Sequence, residues 1–375
     1  MGALSALLLA ATFGGLGYLV VAITVTANFA RRRIPPASDP LPSITVLKPV
    51  CGSAPGLYDD LASFCDQDYP DFQVLFCVHD AGDPAISIIE RVLAAHPQRD
   101  ARLLIGNDAA QRNPKIANLA KALPATRGEI VVIADSDVRV TRAYLRALAA
   151  SFQDPKTGAA TCLYRATAQG SLVGQLGAAY VEDQFAPSVL VAATLGTLRF
   201  CLGATMAVRR SVLDEIGGIA ALGPYLADDH KLGELVSARG FRVVLSRYVV
   251  ATAIPETALP DLWSHELRWA RTSFTLAPIG YLFSFLMFPL PLALLYLAVS
   301  HEAAAGAALI ASALVLRAGL HYAAHDALGV RRPPAPWLGP IRDLLSFALW
   351  IASVCGRSVR WRGDRSTIDA QGRMT

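Results

Sequence analysis

Charge is scarce in this sequence. Asp, Glu, Lys and Arg together make up 17% of the 375 residues, where soluble domains carry about 25%. Apolar residues fill the gap at 53%, with a mean hydropathy of +0.39. This excludes a typical cytosolic protein and a disordered chain, and the lack of a Gly-X-Y repeat or a sustained heptad excludes collagen and coiled coil. The 34 basic residues exceed the 30 acidic ones by too little, and too diffusely, for a nucleic-acid-binding surface. The six cysteines, Cys51, Cys65, Cys77, Cys162, Cys201 and Cys355, contain no Cys-x-x-Cys pair and sit mostly in apolar runs. They read as reduced core or membrane thiols, not as disulfides or a zinc site, and favour a cytosolic compartment.

No charged side chain occurs from Met1 to Ala30, and Arg31, Arg32 and Arg33 follow at once. About 20 apolar residues suffice to cross the hydrocarbon core. A secretory signal would carry its positive charge ahead of the apolar run, so this is a retained anchor, its N-terminus outside and the following chain cytosolic. A second uncharged stretch, Phe274 to Ser300, contains Pro289 and Pro291, which can kink a helix. A third, Ala303 to about Ala324, carries Arg317. The fourth, Leu344 to Cys355, has 12 residues and spans only if Trp337 to Asp343 extends it. Arg331 and Arg332 precede it, and Arg357, Arg360 and Arg362 follow, so both ends prefer the cytosol. A re-entrant or interfacial segment is expected, with a full span as the alternative. The expected division is an anchor 1–30, a linker 31–42, a cytosolic domain 43–273, membrane segments 274–356 and a cytosolic tail 357–375.

After a Pro-rich linker, Ile34 to Pro42, β and α patterns alternate. Ile44–Leu47, Val74–Val78, Arg102–Ile105 and Ile130–Ala134 read as strands, the last as one buried on both faces. Leu57, Leu61, Phe64 and Cys65, then Ile86, Ile89 and Leu93, then Ile116, Leu119, Ala120 and Leu123, mark helices between them. The alternation predicts an α/β domain with a mostly parallel sheet, whose ligands bind beyond the carboxyl ends of the strands.

Acids stand at those ends. Asp80 follows one strand, and Asp135-Ser136-Asp137 follows another. Paired carboxylates can hold a hard divalent ion that grips phosphate; a turn with an N-cap near Thr141 explains the triplet about equally well. Asp228-Asp229 opens an expected helix to Ala238, where acids also complement the helix dipole. His265, Arg268, Trp269 and Thr272 share one helical face. That face suits a pyrophosphate and a sugar ring, or a membrane-surface helix anchored by Trp269. Arg317, His321 and His325 recur every fourth residue beside Asp326. Two histidines four apart can share a metal, but a single such pair reads better as a polar stripe facing other helices.

These residues resemble a known family. An acid after the second strand, Asp135-Ser136-Asp137, a late Asp228-Asp229 and an Arg268-Trp269 helix before membrane spans resemble processive and lipid glycosyltransferases of GT-A fold. Lys48-Pro49, Cys77-Val78-His79-Asp80 with Asp83-Pro84-Ala85, and Asn113-Pro114-Lys115 with Asn118-Leu119 are similar to the ceramide glucosyltransferase family. Within it, His265-Glu266-Leu267-Arg268-Trp269, Ala227-Asp228-Asp229, Thr161-Cys162-Leu163-Tyr164-Arg165 and Trp361-Arg362-Gly363 resemble the bacterial hopanoid-biosynthesis branch, which transfers N-acetylglucosamine to bacteriohopanetetrol. The family's usual helix opens with Gln or Arg where this chain has His265.

The resemblance implies a multi-pass protein of the bacterial inner membrane with a cytosolic catalytic domain. It would move a hexosyl unit from a UDP-sugar to a lipid hydroxyl with inversion. Asp80 would hold uridine; Asp135 and Asp137 would hold the sugar and, through Mg²⁺ or Mn²⁺, the diphosphate. Arg268 would offset charge on the leaving UDP. Asp229, or alternatively Asp228, would be the general base. Lys115 and Asn118 would support the nucleotide, His265 would line the substrate site, and Trp269 would pack on the acceptor. The acceptor would arrive from the bilayer beneath the apolar stretch Gly170 to Phe200, read as a lid or a buried helix. Gly203 would admit the sugar close to the backbone. The alternatives are glucose transfer to ceramide, a processive polysaccharide synthase, and a non-catalytic scaffold or transporter. The retained acids and the few charges in the spans oppose the last.

Overall fold

The structure, a computed structural model, describes residues 2–31, 33–168, 170–356, 358–361, 364–367 and 372–374. Arg32, Arg357, Arg362 and Gly363 of the sequence reading lie outside the described residues. Eight strands form one mixed sheet: β1 (Ile44–Val50), β2 (Phe72–Val78), β3 (Ala101–Ile105), β4 (Ile130–Ile133), β5 (Val138–Arg139), β6 (Thr157–Ala168), β7 (Met206–Arg209) and β8 (Arg242–Ile254). Their order is β3-β2-β1-β4-β7-β6-β8-β5. The pairs β1–β2, β1–β4, β2–β3 and β6–β8 are parallel, while β7 runs antiparallel to both β4 and β6.

The period-two pattern of the strands sorts the core into two layers. Val46, Val74, Phe76 and Val132 pack on one face against the helices Leu57–Cys65, Ala85–Ala95 and Tyr144–Ser151. Leu47, Leu75, Val131 and Ile133 pack on the other face against the helices Pro114–Ala122 and Asp228–Ala238. The run Ile130–Ala134 is buried throughout, as its lack of alternation predicts. The helix after the Asp135 turn begins at Tyr144 and is flanked by Ala143, so Thr141 is not its N-cap. Thr141 instead bonds the Tyr248 hydroxyl through its backbone N–H and its hydroxyl.

Among the described residues, two helices are long and apolar enough to cross a membrane, Ala3–Ala30 and Ala303–Leu328. The stretch containing Pro289 is not one kinked helix. It divides into the helix Pro278–Phe283, a 3₁₀ turn Ser284–Met287 and the helix Pro289–Ser300, with a 70° bend between the halves. Pro278 and Pro289 each open a helix, where proline's missing N–H costs nothing. The helix Leu259–Leu276 continues past residue 273, so the chain break falls at Ala277. The last apolar segment is a single 17-residue helix, Leu338–Val354. At about 1.5 Å per residue it reaches about 25 Å, short of a ~30 Å hydrocarbon core. The stretch Gly170 to Phe200 contains a continuous helical run, Leu172–Tyr180, a π turn Val181–Phe185 and Ala186–Thr194, most of it buried. The N-terminal helix packs on this run's last segment, on Pro289–Ser300 and on Ala303–Leu328.

Candidate active site

Because β1, β2 and β4 run parallel, their carboxyl ends lie along one edge, and the chemistry-bearing residues gather there. Asp80 leaves β2 exposed, its carboxylate accepting the Gly82 N–H at 3.0 Å. Asp83 ties two strand ends together by accepting the N–H of Gly52 at 2.9 Å and of Ala85 at 2.8 Å. Asn113 caps the helix Pro114–Ala122, its Oδ1 accepting the N–H of Lys115 and Ile116, which starts the helix with Lys115 aimed at the edge.

The Lys115 ammonium lies 2.8 Å from Asp135 Oδ1 and 3.1 Å from Asp228 Oδ2. Burial opposes its charge, but Asp135 and Asp228 overcome that and hold its pKa well above the ordinary lysine value. Lys48, fully buried at the end of β1, donates to the Asp135 carbonyl and stands 3.8 Å over the Phe64 ring. Burial lowers the Lys48 pKa to about 7 despite the nearby charges of Asp137 and Asp135. Asp137 accepts the Thr252 hydroxyl at 3.0 Å. Burial and the Asp135 charge raise the Asp137 carboxyl above the usual range. Asp229 accepts the His230 N–H at 2.7 Å. Burial and Asp228, opposed by Lys115, push its pKa up to about 6. A Cβ at Gly203 would stand 3.4 Å from both Asp135 Oδ2 and Asp229 Oδ2, so this backbone runs directly beside the carboxylates.

The helix Leu259–Leu276 presents His265, Arg268, Trp269 and Thr272 to the same cavity, on the face their spacing predicts. His265 Nδ1 lies 2.5 Å from Glu256 Oε1, and its ring meets the Trp269 ring edge to face at 4.3 Å. Burial lowers the Arg268 pKa, while the charges of Asp229 and Glu256 act to raise it. The face is therefore turned toward the sheet edge.

One cavity of about 1480 Å³ joins these groups. Asp80, Lys115, Asn118, Asp135, Asp137 and Gly203 line it, and so do Asp228, Asp229, His265, Arg268 and Trp269. Asn118 is largely committed to the fold, its amide donating to the Cys77 carbonyl at 2.7 Å. From the carboxylates the cavity continues to Tyr281, Phe288 and Trp350 of the apolar segments. Sequence reasoning gave no site role to Tyr164, Thr252 or Glu256, which shape these surroundings. Lys48 carried a signal, a lysine closing a β-branched run, and Tyr164 stood within the Thr161–Arg165 motif. It also missed the C-terminal residues Gly372–Met374, whose backbone bonds Pro224 and Leu226 and so braces the loop before Asp228.

The profile of the family described as "Glycosyl transferase family 21" matches residues 7–374. Ceramide glucosyltransferase 1 of Caenorhabditis elegans is 28% identical over 268 residues, covering 70% of this chain and 56% of that protein. An N-acetylglucosaminyltransferase of Rhizobium meliloti is 27% identical over 267 residues, covering 64% and 58%. The chain thus spans little more than half the length of these relatives. A solved mannosyltransferase from Pyrobaculum calidifontis, in complex with GDP-Man and Mn²⁺, superposes with a TM-score of 0.57 at 20% identity, covering 94% of this chain and 98% of that one. The shared architecture is the GT-A fold.

Proposed function

The chain belongs to glycosyl transferase family 21, and from that premise we propose that it transfers a hexosyl unit from a UDP-sugar to a hydroxyl of a membrane lipid, inverting the anomeric centre. The preferred donor and acceptor are N-acetylglucosamine and a hopanoid polyol such as bacteriohopanetetrol, on the resemblance of the His265–Trp269 and Asp228-Asp229 segments. Glucose transfer to ceramide is the second reading, favoured by the similarity to ceramide glucosyltransferases. The observation that carries the proposal is that one cavity is lined both by Asp80, Asp135, Asp137, Asp229 and Arg268 and by Tyr281, Phe288 and Trp350 of the apolar segments. It offers a polar seat for a nucleotide diphosphate and an apolar approach for a lipid. The host is the bacterial inner membrane, which the chain crosses more than once with the sheet domain on the cytosolic side.

Asp80, exposed on the cavity wall, takes the uridine. Asp135 and Asp137 would hold the divalent ion, Mg²⁺ or Mn²⁺. Their hard oxygen donors suit it, and the Asp137 carboxyl, raised first by burial and then by the Asp135 charge, would be relieved by a cation there. When bound, that ion supplies neutralisation of the diphosphate charge. Arg268 offsets the charge left on UDP, and burial makes its field stronger than it would be in water. Asp228 is occupied by Lys115, so Asp229 is the carboxylate available to take the acceptor proton, and a pKa of about 6 suits a base working near neutrality. Gly203 leaves room for the sugar between Asp135 and Asp229, and the Trp269 ring packs against the acceptor.

The test incubates membranes containing the protein with UDP-glucose or UDP-N-acetylglucosamine and with ceramide or hopanoid polyol, followed by lipid mass spectrometry. Glycosylated polyol that disappears with EDTA is the expected product. Glucosylceramide alone would select the second reading, and no lipid product from any pair would overturn both.

A further inference from the structure

The acids Glu182 and Asp183 occupy the π turn Val181–Phe185, and neither lines the cavity. They face His321 and His325, one turn apart on the helix Ala303–Leu328. His321 Nδ1 lies 2.9 Å from Asp183 Oδ2. His325 Nε2 lies 3.0 Å from Glu182 Oε2 and 3.5 Å from Asp183 Oδ1. The four side chains are between 1% and 6% exposed. Asp183 Oδ1 has no hydrogen-bond partner among the described residues, although it points at His325.

Charge accounting sets what the cluster needs. The buried neighbours Asp343 and Glu266 are matched by Arg317 at 2.9 Å and Arg342 at 2.8 Å. With neutral imidazoles, Glu182 and Asp183 are left carrying two negative charges in a closed interior, an arrangement that persists only when compensated. The donor spacing suits a metal. Ligand atoms of Asp183, His321 and His325 lie within 4.8 Å of one another. Each imidazole nitrogen lies 2.9 to 3.5 Å from a carboxylate oxygen of Asp183 or Glu182, near the ~3.3 Å ligand–ligand distance of a tetrahedron whose bonds are ~2.0–2.1 Å. Two imidazoles with carboxylates favour zinc and its first-row neighbours over Mg²⁺ or Ca²⁺.

We propose that Asp183, His321 and His325, together with Glu182, form a structural site for a divalent transition ion of the zinc type, separate from the carboxylates at the sheet edge. The ion would fasten the helix Ala303–Leu328 to the turn whose Gln184 and Phe185 form a cavity wall. A closed set of protein ligands is the mark of a structural site. The site does not depend on the glycosyl-transfer reading, and its test needs no turnover.

The full chain, purified in detergent through a tag without histidine, is analysed for metal by mass spectrometry, stripped with chelator and titrated with Co²⁺. Beyond an ion held at Asp135 and Asp137, about one equivalent per chain is expected, with visible ligand-field absorbance that tracks its uptake. Asp137→Asn should retain that equivalent, and the His321→Gln/His325→Gln double variant should lose it. Asp183→Asn, which keeps the side-chain shape, should weaken Co²⁺ uptake at least ~10-fold and covers the case in which the double variant does not fold. A wild-type chain that neither carries nor takes up a transition ion would overturn the site, leaving two protonated imidazoles as the compensation. Uptake unchanged in Asp183→Asn and in a folded double variant would overturn it equally.

Discussion

Asp229 stands at the N-terminus of its helix, where backbone N–H groups favour a carboxylate, yet burial and Asp228 keep its pKa near 6. Between the ordinary value of 3.8 and about 6 the native state binds more protons than the unfolded chain. Stability therefore falls as pH rises through that window, and the ionised group is a standing cost at neutral pH. Two consequences follow for one side chain. With Asp229 as the proposed base, transfer should decline as pH drops below about 6, because the protonated carboxyl cannot accept the acceptor proton. Asp229→Asn should lower turnover by ~10²–10⁴-fold, while the melting temperature at pH 7.5 stays level or rises. A near-wild-type rate in the variant would move the base elsewhere, with Asp228 first in line. Little of this was legible beforehand. The sequence marked both aspartates, but the choice between them rests on Lys115, which reaches Asp228 from a helix more than 110 positions earlier.

At the scale of elements, the helix Leu259–Leu276 is held by its far side. Glu266 turns away from His265 and Arg268 to form a two-pronged pair with Arg342, at 2.9 and 2.8 Å, and Arg342 also contacts the Ser346 hydroxyl. Ser346 donates to Gln184, and Gln184 donates to Asp343, so the helix Leu259–Leu276, the π turn and the last helix share one buried network. Removing one partner of such a pair typically costs about 3–5 kcal/mol, whereas replacing both with apolar or neutral groups is far milder. Arg342→Ala should therefore lower the unfolding midpoint in detergent sharply, and Glu266→Gln/Arg342→Met should recover most of the loss. Equal loss in the single and double variants would mean that packing, not charge, is what Arg342 supplies. The helical face His265–Thr272 and the strands were readable because period is a local property. The partners of Glu182, Asp183 and Arg317 were not, since nothing local in an apolar run states which charge opposes which. Asp326, adjacent to His325 in sequence, is exposed and belongs to no part of the cluster.

Across the whole molecule, the N-terminal helix is a packed member of a bundle and does more than tether the domain. Leu19 and Ala22 bury against Leu320, and a Cβ at Gly15 would come within 2.7 Å of the Leu286 carbonyl and 3.0 Å of Pro289. Small residues permit this close approach where no hydrophobic drive separates helix from lipid. Gly15→Leu should lower thermal stability in detergent. Gly17→Leu, with nothing within 4 Å of its Cβ position, should leave it unchanged. Similar loss in both variants would indicate a helix-propensity or lipid effect instead of packing.

The sequence alone determined the membrane-associated character, the α/β order of the domain, the carboxylates at strand ends and the family. Those properties depend on composition, local period and short motifs. Tertiary structure decided that Lys115 bridges Asp135 and Asp228, that Pro278 and Pro289 start separate helices, and that His321 and His325 meet Glu182 and Asp183. Each depends on the distance between residues remote in the chain, and burial turns those distances into shifted charge, committed hydrogen bonds and candidate ligands.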